Sequence, residues 1–201
     1  MANFGLSKPM VAPYNVSTDG TESYGDVIEA GEAVNTSVTP KKVEAKLYGD
    51  NKTVEYVNEF VEADLALGTT RVPVKMATVM FGHTVTDNGT EVSNANDAAP
   101  YMGYAFITKQ IELGVVKFRG CFLPKVQMTE GAEEYETKGE NVQFKTPSLS
   151  GKAMARLNGD WRVKSPLFAS EQEAVEWCKK QFKLKTTYET VPTDLEASAT
   201  A

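Results

Sequence analysis

Two long runs of apolar residues, separated by a short turn, constrain the fold of this chain more than any other feature. The runs cover Tyr101 to Ile111 and Val115 to Val126, and Glu112-Leu113-Gly114 joins them. Runs of this length with a glycine-containing connection predict a β-hairpin. Because the apolar residues are nearly continuous rather than alternating, we expect both faces of the hairpin to be covered by other parts of the protein.

Shorter strand patterns precede this hairpin. Ala33 to Val38 and Lys42 to Tyr48 are predicted strands, and Pro40 is predicted to separate them. The polar stretch from Asn15 to Asp26, which contains a glycine, is predicted to be a loop. The first half of the chain is therefore expected to consist of strands broken by turns.

One of the early strands has an acidic face. Apolar residues alternate with Glu62 and Asp64 between Val61 and Leu67, which predicts a strand with one apolar and one acidic side. The parity of the apolar positions changes just before this strand. A period of two cannot keep both sets on one face, and so we expect a β-bulge or break near Val57 to Phe60.

Two segments have helical patterns. Pro73 to Phe81 is predicted to be a helix that Gly82 ends. A second helix is predicted after Ser170, which forms a capping box with Glu173. Its apolar stripe consists of Ala174, Val175, Cys178 and Phe182. The predicted class is mainly β with one or two helices, arranged as one domain over residues 1–185. The Thr-, Ala- and Glu-rich residues 186–201 are predicted to be a flexible C-terminal tail.

Charge and composition exclude several classes of function. The chain has 21 Lys and Arg against 27 Asp and Glu, a formal net charge of −6. Binding of nucleic acid needs clustered cations, so an acidic chain is not expected to bind DNA or RNA specifically. DNA could still slide past an acidic surface, because its phosphates are repelled by it. The sequence has no run long and apolar enough to span a membrane and no pattern typical of a secretory signal.

The usual catalytic and cofactor-binding patterns are missing. His83 is the one histidine and is predicted to lie at the surface or pack in a loop, since no nucleophile motif accompanies it. Cys121 and Cys178 are far apart and are predicted to be buried thiols, not metal ligands. We therefore expect no metal, no cofactor and no enzymatic activity.

Three segments carry a resemblance to a known family. They are FGHTVTDNGTEV (Phe81 to Val92), DAAPYMGYAFI (Asp97 to Ile107) and ETKGENVQFKTPSLSGKAMAR (Glu136 to Arg156). In this order and at this spacing they resemble the major tail proteins, or tail tube proteins, of long-tailed phages. The chain departs from the family pattern at Cys121 and Leu123, where a more basic strand is expected, and in the tail after Lys185, which has no counterpart.

The resemblance implies a fold and an assembly. The protomer is expected to be a β-sandwich or half-barrel, and six copies are expected to form a ring whose strands line a continuous barrel. Stacked rings would form the conduit through which double-stranded DNA passes without specific binding. The implied partners are further copies, a tape-measure protein and other tail proteins. The implied location is the virion, after assembly in the cytoplasm of the bacterial host.

Two sets of residues are candidates for roles in such a tube. Glu62 and Asp64 are candidates for the wall of the lumen, where negative charge would keep DNA from adhering. Contacts between rings are expected to involve loops or arms. The candidates are the N-terminal arm, the segment from Lys41 to Val57, the tail after Lys185 and, in particular, the turn Tyr48, Gly49, Asp50 and Asn51.

Three alternatives also fit these features of the sequence. A tail terminator would form a single ring, and a tube protein of a type VI secretion or other contractile system would form a similar tube. A β-sandwich ligand-binding module, such as a carbohydrate-binding domain, is the third. It is expected to expose aromatic side chains, whereas Trp161 and Trp177 both lie in apolar-rich segments.

Overall fold

The computed structural model describes residues 3–50, 52–131 and 148–185. The strands of these residues are β1 (Asn3–Val16), β2 (Glu22–Tyr24), β3 (Ile28–Glu29), β4 (Ala33–Gly49), β5 (Lys52–Thr69), β6 (Thr84–Val85), β7 (Glu91–Val92), β8 (Tyr101–Glu112), β9 (Val115–Thr129), β10 (Ser148–Met154) and β11 (Val163–Lys164). The helices are α1 (Val74–Phe81) and α2 (Glu171–Lys183). The predicted class, mainly β with one or two helices, is confirmed.

Most strands belong to one antiparallel sheet. Its order is β2-β1-β8-β9-β10-β5-β4, with β3 beside β1 and β11 beside β9, while β6 and β7 form a separate hairpin. The described strands do not close this sheet into a barrel. The sheet therefore has two open edges, formed by β4 on one side and by β1 with β2 on the other.

The central hairpin β8–β9 forms as predicted. Leu113 and Gly114 connect its strands, and both have a positive φ (50° and 80°), which is typical of a type I′ turn. Tyr104 and Leu123 are fully buried on one face of the hairpin, and Ala105 and Phe122 are buried on the other. The expectation that both faces are covered is confirmed.

Helix α1 fills one side of the sheet. It begins after Pro73 and ends at Gly82, whose φ of 81° suits the left-handed position that closes a helix. Its buried Met76 and Met80 belong to a core cluster that also includes residues of β1, β5, β8, β9 and β10. The helix predicted for this segment is confirmed.

Helix α2 covers the opposite face. The predicted capping box is present: the Ser170 hydroxyl accepts from the backbone N–H of Glu173, whose side chain accepts from the Ser170 N–H. The four predicted stripe residues are all buried. Gly120 permits a close approach, because a Cβ there would lie 2.7 Å from the ring of Trp177 and 2.8 Å from the sulfur of Cys178.

Two predictions about the first strands are wrong. Pro40 does not interrupt a strand: β4 is continuous, and Pro40 pairs with Ala63 of β5. An edge strand tolerates proline because one of its sides has no neighbour to receive an N–H. The predicted loop from Asn15 to Asp26 contains β2, which pairs with the end of β1 and places buried Glu22 beside the hydroxyl of Tyr14.

The predicted bulge lies one residue further along the chain than expected. Lys41 pairs with Glu62 and Lys42 pairs with Phe60, so Val61 is the extra residue of β5. A bulge bends and twists its strand and changes which face each following residue occupies. This bulge marks the point where the β4–β5 hairpin leaves the core.

Candidate interaction surfaces

The outer part of the β4–β5 hairpin is an arm. We call residues 42–50 and 52–60 the arm; its two strands pair with each other, whereas β10 pairs with β5 only from Ala63 to Gly68. With eight residues from Lys42 to Gly49, the arm is about 26 Å long. A two-stranded ribbon of this length has little core of its own and is marginal without a further packing partner.

One face of the arm is aliphatic. Val43 and Leu47 are each 58% exposed, and Val57 is 45% exposed. Directly paired residues of an antiparallel ribbon share a face, which places Ala45 with Val57 on this side. The same register places Glu59 opposite Val43 and Glu55 opposite Leu47. The face is therefore an apolar strip flanked by carboxylates.

The other face of the arm has an aromatic character. Phe60 stacks on Trp161 of the body, and the ammonium of Lys46 lies 5.7 Å from the ring centroid of Tyr56. At the tip, Tyr48 is 65% exposed and Asp50 has a φ of 49°. Of the four residues predicted to contact another ring, Tyr48, Gly49 and Asp50 therefore lie at this tip, and Asn51 lies outside the described residues.

The two candidate lumen residues lie at the base of the arm, between two lysines. Lys41 Nζ is 2.9 Å from an Asp64 oxygen and 3.6 Å from Glu62. Lys152 Nζ is 2.8 Å from Asp64 and also bonds Glu62. The hydrogen bonds from Lys152 lower the pKa of both carboxyls, and Lys41 acts in the same direction. The four side chains together carry no net charge. The acidic alternation in β5 did not predict this neutral cluster, because both lysines come from other strands.

His83 is buried, at 4% exposure, between two glutamates. Its Nδ1 is 2.7 Å from Glu91 of the β6–β7 hairpin, and its Nε2 is 3.6 Å from Glu130 at the end of β9. The hydrogen bond to Glu91 raises the pKa of His83, while burial acts against it. His83 therefore packs in a loop, which is one of the two predicted positions. It connects the β6–β7 hairpin with the end of β9.

A basic groove opens on the side of the sheet that α1 covers. It is a cavity of about 430 Å³ between the first residues of β1 (Asn3 to Leu6) and the start of β4 (Val34 to Val38). Its charged lining residues are Arg119, Arg162 and Lys164, and no Asp or Glu lines it. The groove could not be predicted from the sequence, because β9 and β11 meet only in the folded chain.

Both cysteines are buried and free. Cys121 lies in the basic groove, where burial raises its pKa to about 11 although Arg162, Lys164 and Arg119 all act to lower it. Burial likewise raises the pKa of Cys178 to about 12. A thiol that stays protonated at neutral pH is a poor nucleophile and a poor metal ligand.

The two tryptophans are engaged in packing. Trp161 lies against Phe60, with the Arg162 guanidinium 4.3 Å from its ring centroid, and the Trp177 ring covers Gly120. Across the described ranges, no three His, Cys, Asp or Glu side chains converge as they would around a metal ion. No helix in the described part of the chain is long and apolar enough to cross a membrane.

Comparison with known proteins does not identify these surfaces. No protein-family model matches the chain, and no curated protein matches its sequence.

Proposed function

We propose that this protein is a major tail tube subunit of a long-tailed phage, a structural component of the virion. In this proposal six copies pair into a ring, and rings stack into a tube that conducts DNA during ejection. The observation that carries the proposal is the arm, which extends an exposed aliphatic face about 26 Å beyond the core.

The open sheet edges support ring formation. All 17 residues of β4 lie at one edge, and β1 with the short β2 forms the other. An uncovered edge strand presents backbone donors and acceptors that readily pair with another chain. Two different edges on one molecule allow head-to-tail pairing, which gives a closed ring when the rotation per copy closes.

The arm supports contact between rings. An exposed strip of Val43, Leu47 and Val57 is expected to gain stability when it packs against another copy. In our proposal the tip, with Tyr48, Gly49 and Asp50, reaches the adjacent ring. Tube length would then depend on a partner such as a tape-measure protein, which the resemblance implies.

A double substitution in the arm tests the proposal. Val43→Lys with Leu47→Lys removes the two most exposed residues of the aliphatic strip but places each lysine opposite a glutamate, Glu59 or Glu55, so that the ribbon can keep its pairing. The control is Val92→Lys with Leu157→Lys, which changes two exposed aliphatic residues outside the arm. Negative-stain electron microscopy and sedimentation velocity should show tubes for the parent and control, and unstacked rings or protomers for the arm variant.

Other outcomes would favour the alternatives. Parent protein that forms only single rings would favour a tail terminator, and sheath genes beside its gene would favour a contractile or type VI tube. A compact monomer at high concentration that binds glycans would favour the ligand-binding module and would overturn the proposal.

We also propose that Glu62 and Asp64 face the lumen. Replacing both with lysine should slow DNA delivery while tubes still assemble, because a cluster that is neutral in the parent would become positive and attract phosphates. Since Lys41 and Lys152 adjoin both residues, the matched control is Lys41→Gln with Lys152→Gln, which leaves the carboxylates without counterions and should not slow delivery. Equal delivery by the parent and the lysine variant would place the two residues elsewhere.

A further inference from the structure

The basic groove has unbalanced charge. Arg119, Arg162 and Lys164 line it together, and none of them forms an ion pair with any residue that the structure describes. This is notable in a chain whose net charge is −6, since acidic partners are abundant in the sequence. Three cations brought together without a counterion favour the binding of an anionic group.

Two buried polar atoms in the groove also have no partner among the described residues. They are Oε1 of Gln110 and Nε of Arg119. Gln110 is 7% exposed, and its Nε2 donates to Oδ1 of Asn3 at 2.7 Å, which fixes the orientation of its amide. Buried polar atoms normally have a hydrogen-bond partner, so these two indicate that a ligand with donors and acceptors completes the site.

The walls of the groove favour an extended peptide. One wall is the start of β1 and the other is the start of β4, the two outer strands of the sheet. An extended segment that lies between the two walls points alternate side chains into the groove. The apolar lining residues Leu6, Val38 and Phe106 would receive apolar side chains, and the cations would receive carboxylates.

We propose that the basic groove binds the C-terminal residues 186–201 of a neighbouring copy. This segment has three carboxylates, Glu189, Asp194 and Glu196, and no lysine or arginine, so its charge complements that of the groove. The inference rests on the proposed tube function, and it names the acceptor surface and the donor segment of one contact between copies.

Helix α2 and the groove lie on opposite faces of the sheet. Phe182, in the last turn of α2, packs near Gly103, and the groove begins at Phe106, three residues or about 10 Å further along β8, a distance that residues 186–201 could span. The choice of a neighbouring copy therefore follows from the proposed tube, and the labelled cross-links below distinguish it from the same chain. A donor at one end and an acceptor at the other form a head-to-tail contact, which repeats along a stack of copies.

Photo-crosslinking of the full chain tests the proposal. A photoreactive phenylalanine analogue replaces Tyr188, and isotopically labelled and unlabelled copies are mixed before assembly and irradiation. Mass spectrometry should find cross-links from the tail of one copy to groove peptides of a differently labelled copy. The cross-links should be lost in Arg119→Gln/Arg162→Gln/Lys164→Gln and kept in Lys75→Gln/Lys180→Gln/Lys183→Gln, a control that removes the same charge from the two helices.

A tail variant keeps the test decisive if the groove variant fails to fold. Glu189→Gln/Asp194→Asn/Glu196→Gln changes no residue of the described core and should also abolish the cross-links. Cross-links confined to single copies, or cross-links that persist in the tail variant, would overturn the inference. Tubes without groove cross-links would overturn it while leaving the proposed function intact, whereas the absence of rings and tubes in the parent would remove the proposed function itself.

Discussion

Phe60 and Trp161 stack with their ring centroids 4.5 Å apart and their planes 13° from parallel. Phe60 is the residue at which the arm begins, and Trp161 lies in the segment between β10 and β11. The stack therefore fixes the base of the arm to the body. Because the rest of the arm has no other packing partner among the described residues, its orientation depends strongly on this pair.

Replacing Trp161 with alanine should loosen the arm. The loss of a half-buried aromatic pair is expected to lower the free energy of unfolding by about 2 kcal/mol. Amide hydrogen exchange in β4 and β5 beyond the bulge should accelerate more than exchange in β8 and β9. Trp161→Phe, which keeps a ring against Phe60, serves as the control. Equal acceleration throughout the sheet would show that the stack does not hold the arm specifically.

The charge cluster at the base of the arm predicts a dependence of stability on acid. Lysine contacts lower the pKa of Glu62 and Asp64 in the folded state. Their stabilising contribution is therefore present above the unfolded pKa values, near 4, and is lost as the pH falls through the lower folded values. Denaturant midpoints measured from pH 6 to pH 2 should fall less steeply in Lys41→Gln/Lys152→Gln than in Lys75→Gln/Lys180→Gln. Parallel curves would contradict the prediction.

His83 predicts a second pH dependence, of opposite sign. The hydrogen bond to Glu91 raises the pKa of His83, so its contribution to stability is fully present below the unfolded value of about 6.5 and is lost as the pH rises through the folded value. Titration of the His83 ring protons by NMR should give a pKa above 6.5, and Glu91→Gln should lower it. Glu112→Gln, a change in a carboxylate outside this site, should leave the pKa in place. A pKa of His83 in the parent that is no higher than in Glu91→Gln would contradict the role of Glu91.

Local signals explain which elements could be predicted from the sequence. The β8–β9 hairpin combines two long apolar runs with a glycine-containing turn, and α2 combines a capping box with a regular apolar stripe. Each of these patterns lies within one continuous segment. Both elements were predicted correctly because no distant residue was needed to specify them.

Long-range pairing explains what could not be predicted. Pro40 is a strong break signal, yet β4 continues through it because pairing with Ala63 holds the strand at the sheet edge. Similarly, the lysines beside Glu62 and Asp64 come from two other strands. Arg162 and Lys164 are two residues apart, which indicates a shared face, but only the pairing of Lys164 with Cys121 of β9 brings Arg119 to them.

The turn between β8 and β9 supports a final prediction. Leu113 has a φ of 50° and is 99% exposed, although leucine disfavours this conformation and gains nothing from exposure. Leu113→Asn should raise the free energy of unfolding by roughly 0.5–1 kcal/mol, because asparagine tolerates positive φ. If the exposed residues Ile111, Leu113 and Val115 form a contact in the proposed tube, the same variant should also lower the yield of tubes. Leu157→Asn, at an exposed leucine without positive φ, should change neither the stability nor the yield of tubes. If Leu113→Asn is more stable and forms tubes in normal yield, Leu113 acts only in the turn and makes no contact between copies.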